Sequence, residues 1–250
     1  MKLDTVLSKR KDKTLYKDGD RVIKLFDEQF SKADVLNEAL NQSLIEQETD
    51  LDIAKVLEVT KIDGKWAIVL EYIEGENLDS LMEKNPEKED EYLELFTDIH
   101  ISVHKTYCPE LAPIKDDMNR KIICCDLDAN TRYELYARLE DMPRHNKLCH
   151  GNFSPDNIVI TDSGKAYILD WSHVTQGNAS ADAARTYLLY KLENKDQEAE
   201  EYLDIFCEKS GISKQNIQLW MPIVAASQSV KGNEKEKEFL LSWVTVCDYQ

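Results

Sequence analysis

The chain is 250 residues long and 42% apolar, with only 8 Gly and 6 Pro, which excludes a disordered, collagenous or fibrous protein and gives a core that needs no metal or disulfide staple. Thirty-one Lys and Arg against 48 Asp and Glu leave a net charge of −17, a balance that repels phosphate backbones and anionic lipid and argues against nucleic-acid and membrane partners. Met1 to Arg10 carries no apolar run of signal-peptide length, no later stretch is long enough to span a membrane, and the six cysteines lack metal or disulfide-framework spacing, so a cytoplasmic protein with reduced cysteines is expected, monomer or homodimer.

The first 75 residues read mostly as strands. Thr14 to Lys17 and Arg21 to Phe26 flank Asp18-Gly19, and Lys55 to Ile62 and Lys65 to Tyr72 flank Asp63-Gly64; Asp-Gly steps between β-rich runs predict two hairpins. Between them, Ser31 to Glu48 opens on a capping serine and carries Leu36, Leu40 and Leu44 at four-residue intervals, the pattern of an amphipathic helix. The expected order is strand, strand, strand, helix, strand, strand.

The pattern turns helical after Gly75, which is read as a hinge. Tyr92, Phe96, Ile99 and Val103 form one apolar stripe, and Asp128 to Asp141 is a second helix. A β island follows, Asn157 to Ile160 and Lys165 to Leu169 around Ser163-Gly164. Helices are expected over about 179 to 193, 195 to 210 and 214 to 230, with a last one ending near Cys247. Trp220 and Trp243 fall in apolar helical repeats and are read as core. The fold class is α+β, with a first unit over 1–75 and a larger, mainly helical one over 76–250.

Leu148 to Trp171 reads LCHGNFSPDNIVITDSGKAYILDW, a polar loop between apolar strands with an aspartate ending the hairpin. Phosphoryl transfer needs a carboxylate and an amide oxygen to hold Mg²⁺ against nucleotide phosphates, and a group beside the acceptor hydroxyl. Asn157 and Asp170 are placed to be the two metal ligands, and Asn152 occupies the acceptor side. HGNFSPDN followed by ILDW and GNASADAAR resembles the aminoglycoside phosphotransferase and choline kinase-like superfamily, whose signature is HGDxxxxN followed by a DW motif.

The resemblance covers essentially the whole chain. It implies a bilobal protein kinase-like fold, with a small antiparallel sheet and one helix in the nucleotide-binding lobe (1–75) and a helical catalytic and substrate-binding lobe (76–250). It implies ATP or GTP with Mg²⁺, and transfer of the γ-phosphate to a hydroxyl of a small, cationic molecule. Position by position, His150 resembles the loop-bracing histidine, Asn157 and Asp170 the Mg²⁺ ligands, and Asp182 the aspartate that supports the site. Lys24 resembles the strand lysine of the phosphates, with Glu38 as its partner. Glu71, Tyr72 and Ile73 would form the hinge, whose backbone pairs with the base.

Two departures stand out. Asn152 replaces the aspartate of the family motif, keeping shape and an acceptor oxygen but not a base that takes up a proton near neutral pH; a slow kinase and a nucleotide-binding pseudokinase acting as a switch or scaffold both fit it. The turn after the first strand, Leu7 to Thr14, reads LSKRKDKT without glycine, so Ser8, Lys9, Arg10, Lys11 and Lys13 would supply donors, or form a solvated basic turn.

His100 and His104, four residues apart, have a spacing that binds metals but no accompanying motif, and are read as structural. Glu193 to Asp204 carries six acids and one base. Most such runs are solvated faces, but aminoglycoside kinases present carboxylates to their substrates, which makes Glu193, Asp196, Glu198, Glu200, Glu201 and Asp204 candidate substrate contacts. An amino sugar is the first substrate class; choline, ethanolamine and other amino alcohols are the alternatives.

Overall fold

The computed structural model describes residues 3–10, 12–230 and 234–245; Lys11 and Cys247 lie outside them. In chain order it holds β1 (Thr5–Lys9), β2 (Lys13–Asp18), β3 (Arg21–Phe26), α1 (Lys32–Glu48), β4 (Val56–Ile62), β5 (Lys65–Glu71), β6 (Glu76–Asn77) and α2 (Leu78–Lys84). These are followed by α3 (Glu89–His104), α4 (Ile114–Cys124), α5 (Ala129–Asp141), β7 (Lys147–Cys149), β8 (Ile158–Ile160), β9 (Ala166–Ile168) and β10 (Thr175–Gly177). The chain continues through α6 (Ala179–Leu192), α7 (Asp196–Ser210), α8 (Lys214–Ser229) and α9 (Glu234–Thr245).

Two compact units form, Met1–Lys84 with Pro155–His173, and Asn85–Ser154 with Val174–Gln250. This grouping differs from a split after residue 75. The reason is the pairing of β6 with β8, Glu76 opposite Ile160 and Asn77 opposite Val159, which joins the β8–β9 hairpin to the first unit.

In the first unit an antiparallel sheet runs in the order β1-β2-β3-β5-β4. Asp63 and Gly64 both have positive φ, 49° and 84°, the type I′ geometry whose twist matches paired strands. The first hairpin turns one residue later than Asp18-Gly19 predicts: Asp18 still pairs with Arg21, and Gly19-Asp20 make the turn.

Ser31 caps α1, its side chain accepting from the Asp34 N–H at 3.0 Å. The buried stripe of α1 is Val35, Glu38, Ala39, Gln42 and Ile45, not Leu36, Leu40 and Leu44; Leu36 and Leu40 are exposed. Phe26, Val35, Ala39 and Ile68 form the core beneath the helix. Two polar side chains fix the helix rotation that the leucines do not: Glu38 pairs with Lys24, and Gln42 donates to the Ala54 carbonyl at 2.7 Å.

The second unit is helical around an aromatic core. Phe96 on α3 packs against Phe153, Tyr190 and Tyr202 at centroid separations of 4.8 to 5.9 Å. Its only sheet among the described residues is β7 paired with β10. Helices α6, α7 and α8 fall close to their expected limits, and Trp220 is fully buried. Helix α2 and the short strands β6, β7 and β10 were not expected, their runs being too short for a periodic signal; α4 was missed although Ile114, Met118 and Ile122 recur at four-residue spacing on its buried face. No disulfide joins the five cysteines among the described residues, and no described helix is long and apolar enough to cross a membrane.

Candidate active site

The first unit brings Lys24, Glu38, Asn157 and Asp170 together from four separate segments. Lys24 sits in mid-strand, opposite Leu15 on one side and Ile68 on the other, so ladder bonds on both edges fix its backbone. Its ammonium pairs with Glu38 and lies 2.7 Å from Asp170 Oδ1. Lys24 and Glu38 are 3% and 8% exposed. Burial pulls the Lys24 ammonium toward neutrality, but Asp170 and Glu38 outweigh it and raise its pKa above the ordinary lysine value.

Asp170 follows β9 with φ at +58°, a left-handed backbone unusual for a non-glycine residue. Burial works against its charge, yet Lys24 and Lys13 hold the carboxyl well below the usual range. Lys13 lies 3.4 Å from Oδ1, and Arg10 reaches Oδ2 and Asp156 at 3.3 Å each. The Lys13 pKa is lowered, first by burial and then by the neighbouring Lys24 charge.

Asn157 is 4% exposed and closes β8 against β9, its carbonyl accepting from the Leu169 N–H at 2.8 Å. The ladder thus sets the buried amide of Asn157 one residue across from Asp170. A carboxylate and an amide oxygen are hard donors of the kind Mg²⁺ takes, so this pair fits that ion.

Of the expected hinge residues, Glu71 N–H donates to the Lys55 carbonyl and Tyr72 N–H to the Asp20 carbonyl, at 3.0 and 2.9 Å. These two donors are spent within the first unit. No backbone hydrogen bond among the described residues engages Ile73.

The second unit holds the loop that follows β7. Gly151 has φ +75°, which lets the chain reverse and turn two successive N–H groups toward Asp182. Asp182, on the first turn of α6, is 1% exposed; Oδ2 accepts from the His150 N–H at 2.7 Å and Oδ1 from the Gly151 N–H at 2.8 Å. The His150 ring is fully buried, and its Nδ1 accepts from the Asn152 N–H at 3.3 Å. One turn further along α6, the Thr186 hydroxyl donates to the Phe153 carbonyl at 2.9 Å. Asp182, His150 and Thr186 together fix residues 150–153, and so the position of Asn152.

His100 and His104 each bring Nε2 to 3.1 Å from Asp182 Oδ2. With Nε2–H donating, His100 Nδ1 accepts from the Tyr202 hydroxyl at 2.8 Å. His100 stacks on Phe153 at 4.0 Å. Burial, then the proximity of His104, lowers its pKa to about 3, so it is neutral at physiological pH. Burial raises the Asp182 carboxyl, but the bonds from His100 and His104 prevail and hold it well below the usual range. The three residues have metal-ligating types, but every contact is at hydrogen-bond distance and both Asp182 oxygens are committed to backbone N–H groups. They lock the loop, and the structural reading of the histidines agrees with this geometry.

The acidic stretch is engaged elsewhere. Glu193 pairs with Lys195 at 3.1 Å, Asp196 with Lys191 at 2.7 Å, and Glu201 accepts from Gln197 at 2.8 Å. Glu200 accepts from the Tyr187 hydroxyl at 2.5 Å, and Asp204 pairs with Lys214. None of these bonds reaches residues 150–153. Sequence reasoning singled out neither His100 as a partner of Asp182 nor Lys13 within its basic run. The i, i+4 histidine pair carried a usable signal for the first; nothing in the sequence separated Lys13 from its basic neighbours.

The two-hairpin sheet with its capped helix and ion-paired strand lysine, followed by a helical unit, is the protein kinase-like fold. A family model described as the phosphotransferase enzyme family matches residues 12–215, and the chain belongs to that family. Among solved structures, a thermostable mutant of aminoglycoside phosphotransferase APH(4)-Ia is similar with TM-score 0.69 and 16% identity, over 96% of this chain and 91% of that one. The same enzyme in a ternary complex with AMP-PNP and hygromycin B gives 0.70 and 14%, over 96% and 90%. Choline kinase LicA from Streptococcus pneumoniae gives 0.62 and 18%, over 96% and 92%. A search of curated protein sequences finds no match.

Proposed function

We propose that this chain moves the γ-phosphate of ATP or GTP to a hydroxyl of a small, amine-bearing molecule. The observation that carries the reading is the buried Lys24 ammonium between Glu38 and Asp170, an arrangement that aims a fixed positive charge where nucleotide phosphates need one. Asn157 and Asp170 would hold Mg²⁺, which when bound neutralises charge on the phosphates. Ile73 supplies the backbone pairing for the base, since Glu71 and Tyr72 have spent their N–H groups.

His150 and Asp182 hold the loop that carries Asn152. The side-chain oxygen of Asn152 accepts the hydrogen bond of the acceptor hydroxyl and orients it, without taking its proton near neutral pH. A loose transition state leaves most of the catalysis to positioning and charge neutralisation, so transfer proceeds slowly with an amide at this position.

An aminoglycoside-like amino sugar is the first substrate class. The net charge of −17 supports a cationic acceptor, as do the relatives solved with hygromycin B or described as choline kinase. Glu193, Asp196, Glu200 and Glu201 would contribute to acceptor binding through carboxylate lone pairs that their present partners leave unused. Choline, ethanolamine and related amino alcohols form the alternative class.

The test is mass-spectrometric detection of a phosphorylated product when the chain is incubated with Mg²⁺ and ATP or GTP across aminoglycosides, choline and amino alcohols. Product from one class establishes the activity. Asn152 favours a second reading, a nucleotide-binding pseudokinase acting as a switch or scaffold; it predicts nucleotide binding with no phosphorylated product from any acceptor.

A further inference from the structure

Helix α6 carries a charge that the site described above does not use. Asp182 and Thr186 on this helix hold residues 150–153, and Arg185 stands between them, within one helical turn of both. Its Nε and Nη1 atoms are closed to solvent and, among the described residues, have no hydrogen-bond partner. A guanidinium is charged at every physiological pH and carries five N–H donors, so a buried one is ordinarily met by a carboxylate or by several acceptor oxygens.

The carboxylates around Arg185 do not meet it. Asp182 commits its oxygens to the His150 and Gly151 N–H groups and to the two histidines. Glu236, on α9, acts on Arg185 through its charge but shares no hydrogen bond with Nε or Nη1. Burial therefore prevails and pulls the guanidinium pKa down to about 10, which still leaves it charged at neutral pH. Arg185 as a whole is half-buried, so solvent reaches the residue. Its vacant donors belong to the planar fork that matches the oxygens of a carboxylate or a phosphate. Beside the loop that positions Asn152, such a fork repels a purely cationic acceptor and holds one that also carries an acid.

We propose that Arg185 binds an acidic group of the acceptor, a carboxylate or a phosphate ester, so that the acceptor is a small hydroxyl compound bearing both an amine and an acid. The inference rests on the phosphotransferase reading and narrows its substrate class. It makes Arg185 a specificity residue for the acceptor and gives it no part in holding the nucleotide.

The experiment has two arms, each on the unaltered chain, Arg185→Met and Arg185→Lys. In the first, melting temperatures are recorded in inorganic phosphate, in acetate and in chloride at equal ionic strength. Phosphate or acetate raises the melting temperature of the unaltered chain above its value in chloride and leaves that of Arg185→Met unmoved. In the second, product formation with Mg·ATP compares ethanolamine with serine, and glucosamine with glucosamine 6-phosphate, which separates a carboxylate from a phosphate. The acid-bearing member of one pair has the lower KM. Arg185→Met raises that KM about tenfold or more, the effect of one charge-assisted contact, and shifts the acid-free member far less. The loss falls on KM rather than kcat, and Arg185→Lys keeps part of the preference. An equal response of the unaltered chain and Arg185→Met to both anions overturns the assignment, as does an equal loss for both members of each pair. Should Arg185→Met not fold, Arg185→Gln carries the same comparison. Failure of the phosphotransferase reading looks different: no chain then forms product from any acceptor, and the first arm alone decides whether Arg185 takes an anion.

Discussion

The Lys24 ammonium lies 2.7 Å from Asp170 Oδ1, across 146 residues of sequence, and both groups are nearly closed to solvent. A strand that follows one hairpin and a residue that follows another thus share one ion pair, with Glu38 from α1 as its third member. Asp170 also meets Lys13 and Arg10, whereas Glu38 pairs with Lys24 alone among the described residues, so the Glu38 carboxylate depends on that cation.

Removing it exposes the dependence. Lys24→Met leaves Glu38 without its cation and Asp170 with only Lys13 and Arg10, and should cost roughly 3 kcal/mol of stability, the scale of breaking a buried pair. Differential scanning calorimetry reads the loss. Adding Glu38→Gln to Lys24→Met should recover part of it, because the orphaned Glu38 charge is gone; a double variant no more stable than the single one would refute this coupling.

Asp182→Asn tests the lock on residues 150–153. An amide offers one acceptor oxygen in place of two and turns an N–H group toward existing donors, against four contacts from His150, Gly151, His100 and His104. The expected cost is about 3 kcal/mol or more. Amide exchange at Gly151 should speed up with it, and protection at Gly151 equal to that of the parent chain would count against the lock.

The same cluster sets a pH dependence. The folded pKa of His100, about 3, lies below the ordinary value of 6.5, so the unfolded chain binds a proton that the folded chain refuses. The stability tied to this residue is therefore complete above about pH 6.5 and is lost as pH falls toward 3, at up to about 1.4 kcal/mol per pH unit. Asp182, whose carboxyl is also depressed, adds a loss of the same sign below the ordinary carboxylate range. Urea unfolding of His100→Gln between pH 7 and 4 should show a shallower slope than the parent, by about one proton. Equal slopes would remove His100 as the titrating group.

Gly75 is constrained by contact. An added Cβ would clash with the Ile160 carbonyl oxygen and lie 2.8 Å from Val159 Cγ1. Gly75→Ala should push β6 off β8 and cost about 1 to 3 kcal/mol. Its melting temperature should fall while that of Gly164→Ala reports only a backbone effect, since no atom lies within 4 Å of a Cβ at Gly164. Gly75, read as a hinge in the sequence, also lies at a close approach of two backbone segments within the first unit.

That reading of Gly75 marks where sequence reasoning stops. The strands around Asp63-Gly64 and the helix capped by Ser31 were legible because turn chemistry and capping act over four residues. Lys24, Glu38, Asn157, Asp170 and Asp182 were singled out through motif order, and the contacts they make follow from the fold. The buried face of α1 was misread because the Leu36, Leu40, Leu44 stripe is locally the stronger apolar signal, while the true face contains Glu38 and Gln42, whose burial depends on Lys24 and on the Ala54 carbonyl. Lys13 was hidden for the same reason: burial beside a carboxylate 157 residues away leaves no trace in its neighbours.

The measurement that bears most directly on the whole account is acceptor-dependent ADP release with Mg²⁺ and ATP, for this chain beside Asn152→Asp. The account predicts slow turnover in the parent with an amine-bearing acceptor and a rise on the order of 10²-fold in the Asp variant, the scale of restoring a general base. Silence of both chains across amino sugars, choline and amino alcohols, with Mg·ATP bound by neither, would contradict it.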